Sequence, residues 1–132
     1  MLKTLVAEDD FISGLLLSKL LQAWGSVQLA RNGKQAVDAV RVAIETNEPY
    51  NLVCLDIMMP EMDGQQALKE IRALEATAGI DGLNRVRIVM TTALDDYDAV
   101  MKALLGKCDH FITKPIRREK LVEVLRKLAL IT

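Results

Sequence analysis

The chain has 132 residues, 51% of them apolar and 27% charged, enough for one domain with its own hydrophobic core. A balance of 17 Lys and Arg against 18 Asp and Glu leaves a formal net charge of −1, which gives no general reason to expect nucleic acid or an anionic membrane as partner. No stretch approaches the roughly 20 apolar residues of a membrane helix, and the run before the first acids is too short for a signal peptide.

In chain order, short β-like runs alternate with helical ones. Residues 4–7 form the first predicted strand. Over 11–24, Ile12, Leu15, Leu16, Leu20 and Trp24 recur at helical spacing, and Gly25 supplies a stop. A short strand at 26–30 precedes a helix over 33–45, whose face is Ala36, Val37, Val40 and Ile44. The nearly unbroken apolar run at 51–55 suits a strand covered on both faces. A helix over 65–76 follows, with Leu68, Ile71 and Leu74 as its stripe. Strand 86–90, helix 96–105, strand 110–113 and helix 117–130 complete the pattern, the last with Leu121, Leu125 and Leu128 in register.

Five β-then-α units with short connectors predict an α/β fold, a doubly wound five-stranded parallel sheet with helices on both faces. The last helix reaches nearly to residue 132, so a single domain over 1–132 without an output domain is expected. Cys54 and Cys108 lie far apart in apolar stretches and read as core thiols in a reducing, cytoplasmic setting.

In such sheets ligands gather at the carboxyl ends of the strands. After the first strand come Glu8, Asp9 and Asp10; after the third, Asp56; the fourth ends in Thr91 and Thr92; the fifth in Thr113 and Lys114, followed by Pro115. Each has an ordinary explanation alone. Acids before a helix cap it, a Thr pair is β-propensity, and a lysine before proline is a turn residue. Together they make an anionic pocket that repels itself unless a cation is bound. Hard oxygen ligands suit Mg²⁺, and a metal, a lysine and a carboxylate nucleophile are equipment for phosphoryl transfer to aspartate.

The fragments VAEDD, LDIMMPEMDG, MTTA and FITKP, in this order and spacing, resemble the receiver domains of two-component response regulators over nearly the whole chain. The resemblance implies the flavodoxin-like receiver fold and Asp56 as phosphoacceptor, charged by a sensor histidine kinase or a histidine phosphotransfer protein. It implies Mg²⁺ held by Asp9 directly, by Glu8 through water, by Asp56 and by the backbone carbonyl of Met58. Lys114 would pair with the phosphoryl group and Thr92, followed by Ala93, would swing in to hydrogen-bond it. Phe111 would be the switch aromatic, and the face of helix 96–105, strand 110–113 and the last helix would control a partner. The acidic pair maps to Glu8–Asp9 or to Asp9–Asp10. The first is favoured because a strand over 4–7 ends immediately before it. A cis Lys114–Pro115 bond also comes with the family. The resemblance covers chemotaxis regulators, phosphorelay intermediates and regulators of another enzyme in trans alike, as monomers or phosphorylation-dependent dimers.

Pro60 holds the loop after Asp56 extended, and Asp63–Gly64 is a turn and helix start. Met58 and Leu94, large and apolar, occupy positions that tune water access in the family, so the acyl phosphate is expected to be long-lived. Lys107 replaces a frequent glycine, and 77–85 is a long surface loop. Asp95, Asp96 and Asp98 read as helix caps, and His110, the lone histidine, has a structural role. A phosphohydrolase of the haloacid-dehalogenase type would want an acid where Met58 stands. A flavin or nucleotide module would want a Gly- or Ser/Thr-rich loop in place of EDDF. A receiver-like scaffold that is never phosphorylated is the remaining alternative, and the complete acid, Asp, Thr and Lys set argues against it.

Overall fold

A computed structural model describes residues 1–93, 98, 101–102 and 107–132. Five strands, β1 (Leu2–Ala7), β2 (Gly25–Ala30), β3 (Leu52–Asp56), β4 (Arg87–Thr92) and β5 (His110–Thr113), form one parallel sheet in the order β2-β1-β3-β4-β5. That order is the flavodoxin-like one. The helices are α1 (Phe11–Leu21), α2 (Gly33–Glu45), α3 (Gly64–Thr77) and, at the C-terminal end, α4 (Arg118–Lys127). The helix expected over 96–105 lies largely outside the described residues; within it Asp98, Met101 and Lys102 are helical. No described helix is long and apolar enough to cross a membrane.

β3 is central and buried at all five positions, as its continuous apolar run requires. One core cluster packs Leu5, Val53, Leu55 and Ile88 against Val37, Val40, Leu68 and Ile71 of α2 and α3. The other packs Val6, Cys54, Val89 and Ile112 against Leu17 and Leu21 of α1 and Leu121 and Leu125 of α4. Three helices begin on a side-chain cap: Asp10, Asn32 and Asp63 each accept the backbone N–H three residues on.

α1 departs from its predicted face. The helix buries Gly14, Leu17, Ser18 and Leu21, and Leu16, expected in the core, is exposed. So is Ile12. The helix is apolar on more than one side, so periodicity could not choose its buried face. It also ends at Leu21, and Gln22–Trp24 continue as a 3₁₀ turn into Gly25.

α3 is clamped, by a half-buried network, to the end of the sheet opposite the one where Asp56 and Thr92 emerge. Arg72 bonds Glu75 at 2.7 Å, Asp109 at 2.8 Å and the carbonyls of Val86 and Lys107 at 2.8 and 3.2 Å. Glu75 and Asp109 in turn accept the N–H groups of Val86 and Ile88, both at 2.7 Å. Lys107 holds φ at 73°, the left-handed region in which glycine is at home. Within the loop over 77–85, Gly82–Asn84 forms a 3₁₀ turn.

Candidate functional site

The parallel register brings four strand ends to one edge of the sheet. Ala7 pairs with Leu55, Asp56 with Thr91 and Thr92 with Thr113, so Glu8, Asp56, Thr92 and Lys114 all emerge there. Asp56, the last residue of the central strand, is only 6% exposed, and Glu8 is buried beside it. Burying two carboxylates is costly unless a cation meets them. Lys114 supplies one: its Nζ donates to Glu8 Oε1 at 2.6 Å and to Asp56 Oδ2 at 3.2 Å. The Lys114–Pro115 bond is cis.

Glu8, Asp9 and Asp56 each offer an oxygen within 4.8 Å of the others. Asp10 is turned away and caps α1, accepting from Ser13 N at 3.2 Å and Ser13 Oγ at 2.5 Å. Of the two registers left open by the sequence, the Glu8–Asp9 pair is therefore the one that converges on Asp56. An all-oxygen cluster with one further charge partner is the donor chemistry that a hard divalent cation takes. The three acids could hold a metal ion.

The loop after Asp56 is set by backbone contacts. Ile57 N donates to Thr91 O at 3.0 Å, Met58 N lies 3.4 Å from Asp56 Oδ1, and Gly64 N donates to Ile57 O at 2.9 Å. Gly64 is buried because it must be bare: a Cβ there would sit 2.2 Å from the Asp56 carbonyl oxygen. The turn and helix start expected at Asp63–Gly64 are present, and this close backbone approach is an additional demand on Gly64. Pro60 stands exposed in the same loop, and Glu61 next to it has φ of 65°. The Met58 side chain is 70% exposed, while Asp56 beneath the same loop is 6% exposed. Leu94, its expected partner in tuning water access, lies outside the described residues, as do Asp95 and Asp96.

Thr92 is buried, and its hydroxyl donates to the carbonyl of Ala93 at 3.3 Å, while its own carbonyl accepts from Lys114 N at 2.7 Å. Phe111 is half-buried against the core, with the His110 ring 6.0 Å away. Beside the carboxylates opens a cleft of about 440 Å³ lined by Glu8, Leu16, Leu20, Ala93, Lys114 and Pro115. Leu16, which lines it, is 60% exposed, and Phe11 and Ile12 of the same helix are 55 and 58% exposed. Sequence reasoning missed this rim; the signal was an 11-residue helix with more large apolar side chains than one face can bury.

The electrostatics follow from burial. Desolvation raises the Glu8 carboxyl above its ordinary value, the neighbouring Asp56 raises it further, and Lys114 only partly offsets this. Burial pulls Lys114 down, but the hydrogen bond to Glu8 and the charges of Asp56 and Glu8 outweigh it, so the ammonium is held above its usual range. A carboxyl raised in the folded state binds more protons there than in the unfolded chain, so stability falls as pH rises from about 4.5 through the raised value. Glu8→Gln removes that loss. The variant is expected to melt higher than the parent at pH 7 in chelator, with no gain below pH 4.5. It should also lose any stabilisation by Mg²⁺, which for the parent reaches about 1.4 kcal/mol at ten times Kd. Thermal melts at two pH values, with and without Mg²⁺, check both signs.

Over residues 4–126 the chain matches the family model described as the response regulator receiver domain. It is 35% identical over 126 residues to hybrid signal transduction histidine kinase L of Dictyostelium discoideum, an alignment covering 95% of this chain and 7% of that protein. The chain thus spans a small part of that relative's length. Among solved structures, it superposes with a TM-score of 0.82 on the receiver domain of the histidine kinase CKI1 from Arabidopsis thaliana complexed with Mg²⁺ and BeF₃⁻. That pair is 27% identical, covering 98% of this chain and 91% of the other. It superposes with a TM-score of 0.81 and 28% identity on a Saccharomyces cerevisiae co-crystal of the histidine phosphotransfer protein Ypd1 and the receiver domain of its downstream response regulator Ssk1, covering 98% and 90%.

Proposed function

The chain belongs to the response regulator receiver domain family of two-component signalling, and on that premise we propose that it accepts a phosphoryl group on Asp56 and passes the signal on through a change of surface. The observation that carries the proposal is the pairing of buried Asp56 and Glu8 on one ammonium, Lys114, with Asp9 within reach of both.

In the proposed reaction an Asp56 carboxylate oxygen attacks the phosphorus of a phosphohistidine. The O–P bond forms as the P–N bond breaks, and the imidazole leaves and takes up a proton. Lys114, already on Asp56 Oδ2, follows the charge onto the phosphoryl oxygens. The Thr92 hydroxyl, bonded to its neighbour's carbonyl, is free to exchange that weak bond for a phosphoryl oxygen. Gly64 and the Ile57 contacts hold the carboxylate's backbone in place. Asp9, Asp56 and the Met58 carbonyl, with Glu8 through water, would hold Mg²⁺, and the ion would supply charge neutralisation to the transferring group. The Mg²⁺ and BeF₃⁻ complex of the Arabidopsis neighbour supports this reading.

The donor is a histidine kinase or a histidine phosphotransfer protein, in keeping with the phosphotransfer partner of the yeast neighbour. Leu16 and Leu20, which line the cleft with Glu8 and Lys114, give the donor an apolar shelf. The output is a shift in population at the β5–α4 side, where half-buried Phe111 lies, and the chain acts as a signalling phosphoacceptor in the cytoplasm, with Cys54 and Cys108 reduced. Whether it serves as a chemotaxis regulator or as a relay step is decided by that partner. Incubation with acetyl phosphate and Mg²⁺ followed by a phosphate-affinity gel tests the proposal. A retarded band is expected, and Asp56→Asn should abolish it; a band that persists in Asp56→Asn rejects Asp56 as acceptor.

A further inference from the structure

Away from the phosphoacceptor edge, the surface between α2 and α3 holds a cleft of about 440 Å³. Its walls are Val37, Ile44, Ala73 and Leu74, and Glu45 and Glu70 line it too. Glu70 is half-buried, and its Oε2 is closed to solvent with no hydrogen-bond partner among the described residues. A half-buried carboxylate with no cation beside it carries an electrostatic cost that a cation reaching the cleft offsets. The cation that lines the same cleft does not relieve it: Arg41 is engaged by Asp38 at 2.8 Å. Neither Glu45 nor Glu70 forms a salt bridge among the described residues.

The cleft therefore combines apolar walls with two carboxylates, exposed Glu45 and half-buried Glu70, that no cation pairs among the described residues. Nucleic acid and anionic membrane surfaces are repelled by that rim. The complementary chemistry is an apolar side chain with a cation one helical turn away. Helices α2 and α3, of 13 and 14 residues, both line this cleft, a groove in which a third helix can lie. We propose that the α2–α3 cleft docks a basic amphipathic helix of a partner protein. The helix sets an apolar side chain between Val37, Ile44 and Leu74 and a lysine or arginine against Glu45 and Glu70. The site lies apart from the Asp56 cluster and does not depend on its phosphorylation.

The test is an ¹H–¹⁵N NMR titration of the whole chain with a synthetic helical peptide of about 14 residues carrying leucine and arginine four residues apart. A second peptide carries glutamate in place of each arginine. Saturable shifts at Val37, Ile44, Glu70 and Leu74 are expected with the arginine peptide alone. The double variant Glu45→Gln, Glu70→Gln should weaken that binding by about fivefold while leaving acetyl phosphate labelling unchanged. Equal binding of both peptides, absence of saturable shifts, or unchanged affinity in the double variant overturns the proposal. Binding of free argininamide as tight as that of the peptide also overturns it, in favour of a small-cation site.

Discussion

Gly64→Ala is expected to cost about 3 kcal/mol of stability and to lower the melting temperature by roughly 10 °C. The added Cβ would meet the Asp56 carbonyl oxygen at 2.2 Å, its carbon at 2.9 Å and Ile57 Cα at 3.0 Å, all backbone atoms. No rotamer change can relieve such a clash. The loop carrying Met58 to Asp63 would have to lift off the sheet, taking Asp56 with it. The variant should therefore label more slowly with acetyl phosphate even at temperatures where it is folded. Gly14→Ala is the control: its Cβ would find only ordinary contacts, the nearest at 3.4 Å to Leu29, within a helix that favours alanine. A Gly64→Ala protein as stable and as readily labelled as Gly14→Ala would show that the close approach is not needed.

Lys114→Ala has the second large effect. It removes the ammonium that both Glu8 and Asp56 share and leaves two buried carboxylates facing each other. Labelling of Asp56 should fall by about 10²-fold, the usual scale for loss of one preorganised charge at a reacting centre. Stability should fall too in metal-free buffer. The sign with pH separates this from a packing defect. The pKa of Lys114 is raised in the fold, so its contribution is present through neutral pH and is lost only as pH rises through a value above 10.5. Parent and variant should converge in stability at strongly alkaline pH. Stopped labelling reactions and denaturant melts at neutral and alkaline pH read the two effects; a difference that persists unchanged to high pH would point to lost packing of the lysine stem instead.

Much of the architecture was legible because its signals are local. The helix at Gly33–Glu45 and the strand at His110–Thr113 match the predicted bounds, since caps, periodicity and β-branched residues agree there. The strand ends carrying Glu8, Asp56, Thr92 and Lys114 were placed by alternation alone, and parallel pairing then brought them together. What stayed hidden depends on contacts between distant residues. The role of Gly64 is a backbone approach that only the folded loop creates. The Arg72 clamp joins partners 3, 14, 35 and 37 residues apart, and no spacing announces it. The buried face of α1 was misassigned because apolar residues surround that helix, so that Leu16 and Ile12 are left open.

The central claim is that Asp56 is the residue that carries the phosphoryl group. Treatment with acetyl phosphate and Mg²⁺, reduction of the acyl phosphate with borohydride, and peptide mass spectrometry test it most directly. The account predicts homoserine at position 56 in the labelled protein only, and none when Mg²⁺ is chelated. Homoserine at Asp9, Asp10 or Asp63 with position 56 unmodified would contradict it.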